Sequence, residues 1–364
     1  MAKKILYISS SHPVLEENDL SIFNDLNLEW FSTGIYLDPQ NPDPICKRKT
    51  LNNTVDPDLK QKFLAINPLR DCNKHLNPSS KIFINEEIAS KFDLIIINNF
   101  LYYLIDNWQV LKGKNVFFRT YYYSNPQQER ILTQLQKEGL KIIRMFPQEQ
   151  NIPEACTPNY IIPNHIDGEE FKGWEGTDPS VLTFQNDMAT RMNHRDEYGN
   201  VVFNTYHIYY KIVQQTSQVV TYKLHGYNNN VPFDRGVVDH QTQKDLYKQC
   251  KVYFSLGSKP GPYTYTFLEA MATGIPTINF GKALGDYSNH PWYGGSYNVH
   301  NIIQNGVNGI ISDNPQELYD SIKMLLADPV LSKQISSKGR ETILNLYGRD
   351  KALINWNNFF NKEL

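Results

Sequence analysis

Cysteine is scarce in this chain. The four present, Cys46, Cys72, Cys156 and Cys250, lie far apart and include no CxxC pair. That spacing offers neither a disulfide framework nor a thiolate zinc site, and the four read as reduced thiols of a cytosolic protein. Long apolar runs are missing too. Nothing approaches the roughly 18 uninterrupted residues that a membrane-spanning helix needs. The opening Ile5-Leu6-Tyr7-Ile8, after Lys3-Lys4, is too short for a signal peptide and lacks a small-residue cleavage site, so it reads as a first strand. The compartment expected is the cytoplasm. No charge of one sign dominates: 36 Lys and Arg oppose 38 Asp and Glu, so no overall field recruits polyanions and only a local basic groove could hold nucleic acid. The nine histidines form no HExxH or tight pair, and neither a phosphate loop of the GxxxxGK[ST] type nor a GxSxG elbow occurs. The one D-x-D, Asp56-Pro57-Asp58, contains a proline and follows no strand, which argues against a metal site.

What is present is alternation. At 364 residues the chain suggests two domains on a prior of roughly 150 residues each. Short apolar runs read as strands at Ile5–Ser9, Asp93–Asn98, Asn115–Arg119 and Leu140–Met145, with helices over Asn99–Val110 and Gln127–Glu138. The segment Asp38–Ser80, rich in Asn, Pro and Asp, reads as an irregular insertion. A turn-rich boundary follows around Asn159–Pro179. The alternation then restarts, with strands at Val181–Gln185, Val219–Gly226, Val252–Ser255 and Pro276–Phe280. Helices are expected around Val202–Gln215, Thr242–Cys250, Tyr265–Thr273, Asn314–Ala327, Ser332–Leu346 and Lys351–Asn361. Strand, helix, strand at these lengths implies parallel sheets joined by right-handed crossovers.

The most informative stretch is Ser255–Asn279, SLGSKPGPYTYTFLEAMATGIPTIN. A strand ends, a Gly/Pro loop follows, and a helix begins near Thr264, with Thr264 or Thr266 able to cap it. Gly257, Gly261 and Gly274 allow close backbone approach. A helix N-terminus with free N–H groups suits a diphosphate; an ordinary strand–loop–helix is the plain alternative.

From Phe267 to Pro276 the sequence FLEAMATGIP resembles the donor-site element of the family-four retaining glycosyltransferases, an E-x7-E followed by a small-Gly-x-Pro turn. The resemblance assigns ribose binding to Glu269, whose carboxylate can accept from both cis hydroxyls. Gly261 stands where the family has its first Glu, so Lys259, Tyr263 or Thr264 would take over the contact to the donor sugar, with Tyr265 beside them. Further matches run along the chain in family order. Ile161–Asp167 (IIPNHID) resembles the interdomain I-P-N-G-V-D element, Ile302–Ile311 the late G-x-N-G turn, and the last helix, with Trp356, Phe359 and Phe360, the one that returns to the first domain. The family implies a GT-B fold of two facing α/β Rossmann-like domains. The acceptor domain would span residues 1–165 plus the returning helix 346–364, and the donor domain residues 166–345.

The family also places cations after the first strand of the donor domain. Here that loop is Asp187–Arg195, in which Arg191 and Arg195, four apart, would share a helix face. Arg191 first, then Lys259 and then Arg195, is expected to balance charge on the leaving diphosphate. Acceptor candidates are strand-end residues: Ser10, Ser11 and His12 (a base or a plain loop residue), Asn98 and Asn99, and Arg119 with Tyr121 of the run Tyr121-Tyr122-Tyr123. The implied activity is retaining, metal-independent transfer from a nucleotide sugar, a UDP-sugar by preference, as co-substrate with no cofactor. The same fold leaves a nucleotide-sugar epimerase, a phosphorylase or a non-catalytic nucleotide-sugar binder open. Phe117-Phe118-Arg119-Thr120, Gly139-Leu140-Lys141-Ile142 and Tyr263 through Pro276 also resemble glycosyltransferases of phage genomes. That extends the acceptors considered to hydroxylated or hydroxymethylated pyrimidines in DNA, met by Lys47-Arg48-Lys49, Arg119, the tyrosines and Arg191–Arg195 in a host cytoplasm. A glycan, a protein or a small molecule would serve equally.

Overall fold

The structure is a computed structural model that describes residues 3–364 apart from 10–12, 38–50, 52–55, 69–80, 99, 121–123, 153, 196–198, 200, 258, 260 and 288–293. The chain divides into two compact units, Met1–His165 with Asp350–Leu364, and Ile166–Arg349.

The first unit is built from β1 (Lys4–Ile8), α1 (Pro13–Asp25), β2 (Glu29–Ser32), α2 (Pro57–Ile66), α3 (Glu86–Ala89), β3 (Leu94–Asn98), α4 (Leu101–Leu111), β4 (Val116–Arg119), α5 (Pro126–Lys137), β5 (Lys141–Arg144) and β6 (Tyr160–Ile161). Its six strands lie in the order β2-β1-β3-β4-β5-β6, every pair parallel. All five residues of β3 are buried, as expected of a central strand covered on both faces. The segment expected to be irregular between Asp38 and Ser80 contains α2. Its Asp56 is the N-cap, Oδ1 accepting from the backbone N–H of Asp58 (3.0 Å) and Leu59 (3.3 Å), so half of the D-x-D is a capping residue.

Neither α1 nor β2 was expected. The helix α1 buries three acidic residues beside Leu20, Ile22 and Phe23, and their carboxylates are satisfied one by one. Glu16 accepts from the Ile35 and Tyr36 backbone N–H groups (3.2 Å each) and from Ser32 Oγ (2.6 Å). Glu17 accepts from the Tyr36 hydroxyl and Asp19 from the Tyr7 hydroxyl, each at 2.6 Å. Burial of such groups is tolerable only because each has partners.

The second unit runs β7 (Asp178–Phe184), α6 (Met188–Met192), α7 (Asn204–Thr216), β8 (Thr221–His225), α8 (His240–Gln249), β9 (Cys250–Ser255), α9 (Tyr265–Thr273), β10 (Thr277–Phe280), α10 (Lys282–Gly285), α11 (Val299–Ile302), β11 (Ile310–Ser312), α12 (Pro315–Ala327) and α13 (Pro329–Tyr347). The sheet order is β11-β10-β9-β7-β8, again all parallel. The last helix, α14 (Arg349–Glu363), packs in the first unit. There Trp356 and Phe360 meet Phe23 edge-on (5.0 and 5.1 Å between centroids), and Phe359 meets Phe117 (4.8 Å).

Each sheet has one point where successive strands leave in opposite directions. In the first it lies between β1 and β3, in the second between β7 and β9. In open α/β sheets the loops leaving the carboxyl ends of such a strand pair diverge to opposite faces and open a crevice in which ligands bind.

Among the described residues no helix is long and apolar enough to cross a membrane, and no three His, Cys, Asp or Glu side chains gather as metal ligands. Cys156 and Cys250 are buried free thiols; Cys46 and Cys72 lie outside the described residues.

Candidate active site

Most of the residues singled out in the second unit lie on the segments that leave β7 and β9, the strand pair at its switch point. Leaving β7, the chain turns through Gln185, Asn186 and Asp187, and the loop after β8 braces that turn. Asn186 Oδ1 accepts from the Tyr227 N–H (2.8 Å), and Asn229 Oδ1 accepts from the Met188 N–H (3.2 Å). Gly226, at φ +146°, makes this fit possible: a Cβ there would overlap the Gln185 carbonyl.

α6 then carries Arg191 over the ring of Phe203, 5.2 Å from its centroid. The Arg191 charge also acts on the buried Tyr206 hydroxyl, whose pKa burial nonetheless pushes up to about 12. The expectation that Arg191 and Arg195 share a helix face is corrected: α6 ends at Met192, and Asn193 caps it. Arg195 instead pairs with Val201 in a short β-bridge, and its exposed guanidinium donates to the Gly199 carbonyl at 3.1 Å.

Leaving β9, the chain reaches Lys259. Its ammonium donates to Asn204 Oδ1 and to the Leu284 carbonyl, both at 2.8 Å. Two neutral acceptors do not compensate the desolvation of a cation, and burial lowers the Lys259 pKa to about 8, with Asp286 pulling the other way. Asn204 and Phe203 are neighbours at the start of α7, so the two cations meet the same helix end: Arg191 stacks on Phe203 and Lys259 binds Asn204. Thr205 Oγ1 donates to the Leu256 carbonyl (3.1 Å) and ties this end of α7 to the β9 exit. Phe203, the N-cap, offers no side-chain cap. The N-cap Phe203 and Asn204, the first residue of the thirteen-residue α7, thus each meet one cation, at the helix end that carries partial positive charge. Sequence reading missed Asn204; it carries no motif, and only the fold brings it to Lys259.

The helix α9 is closed by its own cap. Thr264 Oγ1 accepts from the Phe267 N–H (3.2 Å) and from Thr266 Oγ1 (3.0 Å). Tyr265 is the first helical residue, half-buried; Gly261 is buried in the loop before it. Tyr263, 8 % exposed, packs its ring on Tyr347 (5.2 Å) and Phe267 (6.5 Å) rather than facing solvent. Glu269 lies one turn further along and is 1 % exposed; its Oε2 accepts from Gln243 Nε2 (2.6 Å) and the Tyr247 hydroxyl (3.1 Å). These two partners, both from α8, also went unread in the sequence. Gly274, left-handed at φ 97°, ends α9 and turns the chain into β10.

In the first unit, the β1/β3 crevice has Asn98 at its edge. The side chain is 1 % exposed, and neither Oδ1 nor Nδ2 has a partner among the described residues. Arg119, expected to meet an acceptor, is corrected by the structure. It is fully buried, ion-paired with Asp19 on α1, donates to Asn164 Oδ1 (3.3 Å) and lies 4.9 Å from the Trp356 ring centroid. A guanidinium so enclosed belongs to the core. Ser10, Ser11, His12, Asn99, Tyr121, Tyr122 and Tyr123 lie outside the described residues, as does Lys47-Arg48-Lys49.

Two α/β units, each a parallel sheet with its own switch point, make up the GT-B fold. No family model matches the chain, and no curated protein does. Solved structures do match. HepE of Anabaena, in complex with UDP-glucose, superposes with a TM-score of 0.63 at 13 % identity, covering 99 % of both chains. A glycosyltransferase from Rickettsia africae gives 0.62 at 13 % identity over 100 % of this chain and 98 % of its own. TarM of S. aureus, with UDP and α-GlcNAc-glycerol among its ligands, gives 0.58 at 12 % identity over 99 % of this chain and 100 % of its own. At such identities the likeness is one of fold.

Proposed function

We propose that this protein is a glycosyltransferase that takes a sugar from a nucleotide-sugar donor, with UDP as the nucleotide, and transfers it with retention to a hydroxyl acceptor. One observation carries the reading: Arg191 and Lys259, far apart in sequence, converge on the uncapped start of α7 at the switch point of the second sheet. Two cations and a helix N-terminus suit a diphosphate, and Glu269 on the neighbouring α9 suits the ribose. The UDP-glucose complex of HepE supports the choice of nucleotide.

In the reaction proposed, the bond from the anomeric carbon to the diphosphate oxygen breaks ahead of attack. Arg191 and Lys259 take up the charge growing on that oxygen, with no metal needed for the task. The acceptor oxygen bonds to the same face of the sugar, and its proton passes to the departing diphosphate. The donor sugar is assigned to the segment around Gly261 and Tyr265 at the start of α9, where Tyr263 and Thr264 act as packing and capping support. Asn98, whose amide has no partner among the described residues, stands at the first sheet's switch point and is the residue we assign to the acceptor.

The acceptor class is put to experiment. The burial of Arg119 removes one cation from the set that would hold DNA, so hydroxymethylated duplex enters a screen beside glycans, proteins and small alcohols. Incubation with UDP-sugars, with and without EDTA, followed by mass analysis of each acceptor and NMR of the new anomeric centre, tests the reading. A sugar adduct of retained configuration that survives EDTA supports it. Inverted product, or activity abolished by EDTA and restored by manganese, refutes the mechanism.

A further inference from the structure

Glu269 is held from two sides by residues of one helix, and the two holds differ in kind. Tyr247 is wholly buried and wedged among Phe184, Tyr253 and Phe171, with ring centroids at 5.1, 5.7 and 6.3 Å. Its hydroxyl lies 3.1 Å from Glu269 Oε2 and 3.1 Å from the Thr266 carbonyl. A phenol has one proton to donate, and a carboxylate is the stronger acceptor, so the proton goes to Glu269. Gln243, four residues earlier on α8, is half-buried. Its Nε2 donates to the same Oε2 at 2.6 Å and approaches the Tyr247 hydroxyl at 3.3 Å.

We propose that Tyr247 is the positioning residue for ribose recognition: it fixes Oε2 of Glu269 from the interior and so sets the edge of the carboxylate that meets the donor's cis hydroxyls. The proposal rests on the reading of Glu269 as the ribose-binding group. Glu269 is only 1 % exposed, so a ribose reaches it by turning aside a neighbour. Of the two described partners of Oε2, Gln243 is the one free to turn: unbranched, partly in solvent and held by hydrogen bonds alone. Tyr247 cannot follow, because its ring is locked by three aromatic neighbours. The division gives each partner a separate signature. Loss of Tyr247 removes the rigid hold on Oε2, and the advantage of a cis diol over a single hydroxyl shrinks. Loss of Gln243 uncovers the carboxylate without releasing it, and that advantage remains.

The test is isothermal titration of the full chain with UDP, 2′-deoxy-UDP and 3′-deoxy-UDP, with the thermal midpoint of each variant recorded alongside. In the unaltered protein, UDP is expected to bind about tenfold or more tighter than either deoxy form, the value of one charged hydrogen bond. In Tyr247→Phe the preference should fall to about threefold or less, and in Gln243→Ala it should stay within about twofold of its original value. A Tyr247→Phe protein that melts earlier but keeps the full preference has lost only a structural contact, and that overturns the proposal. So does a preference that collapses equally in Gln243→Ala. Should Tyr247→Phe not fold, the unaltered protein still decides, since a preference below threefold against both deoxy forms leaves no fixed edge to explain. If the chain binds UDP with an unchanged ratio, this inference alone fails; if it binds no nucleotide, the donor reading fails with it.

Discussion

Lys259 should make donor binding depend on pH in a direction that the structure dictates. Its ammonium rests on two neutral oxygens, of Asn204 and Leu284, and burial brings its pKa down to about 8. A bound diphosphate puts two negative charges beside it and restores the charged form, so the pKa in the complex returns toward the ordinary lysine range. Binding above pH 8 must then take up a proton, and affinity falls as pH rises through 8. For a change from about 8 to 10 or more, the dissociation constant should be nearly flat between pH 6.5 and 7.5 and about tenfold weaker at pH 9. The same group bears on folding with the opposite slope. A lysine depressed in the native state costs stability while charged, so stability should rise as pH climbs from about 8 toward the unfolded lysine value. Titration calorimetry with a UDP-sugar, run in two buffers of different ionisation heat, reads the proton uptake directly. Lys259→Met should bind more weakly at pH 7 and lose the slope between pH 7.5 and 9. An unaltered slope in that variant, or no proton uptake in the parent protein, would refute the assignment of Lys259 to the diphosphate.

Three further outcomes are expected. Glu269→Ala should weaken UDP binding by roughly 2–3 kcal/mol, the loss of two charged hydrogen bonds, in a protein whose circular dichroism is unchanged. Arg191→Ala should lower turnover by ~100-fold, about 2.7 kcal/mol in barrier, with the Michaelis constant little altered; a change in that constant alone would make Arg191 a binding residue only. Trp356→Ala should destabilise the first unit by about 3–5 kcal/mol in urea unfolding, because it empties a fully buried site between Phe23, Phe359 and Phe360.

How much of this was legible beforehand depended on whether the signal was apolar and local. The run Leu94-Ile95-Ile96-Ile97-Asn98 could hardly be anything but a covered strand, and Tyr265–Thr273 shows its start in Thr264 and its end in Gly274. In contrast, α1 was illegible because buried Glu16, Glu17 and Asp19 interrupt the apolar pattern of Leu20, Ile22 and Phe23. That omission caused the misreading of Arg119. A charged residue at a strand end resembles a ligand contact until its counter-ion is found, and Asp19 sits on the helix that went unseen. Arg191 and Arg195 failed differently: a spacing of four shares a face only if the helix continues, and α6 stops one residue after Arg191. Glu269, Lys259 and Arg191 were singled out from motif and loop position, yet their partners Tyr247, Gln243, Asn204 and Phe203 were not. Such contacts between distant helices and loops leave no mark on any one stretch of sequence.

The most direct test of the central claim is to mix the full chain with a panel of nucleotide sugars and follow the donor's own chemistry by NMR. Release of free UDP together with a sugar attached to an added acceptor, or to water, in its original anomeric configuration is the result expected. A donor that is isomerised in place, one cleaved only when phosphate is added, or donors that bind without any turnover would contradict it.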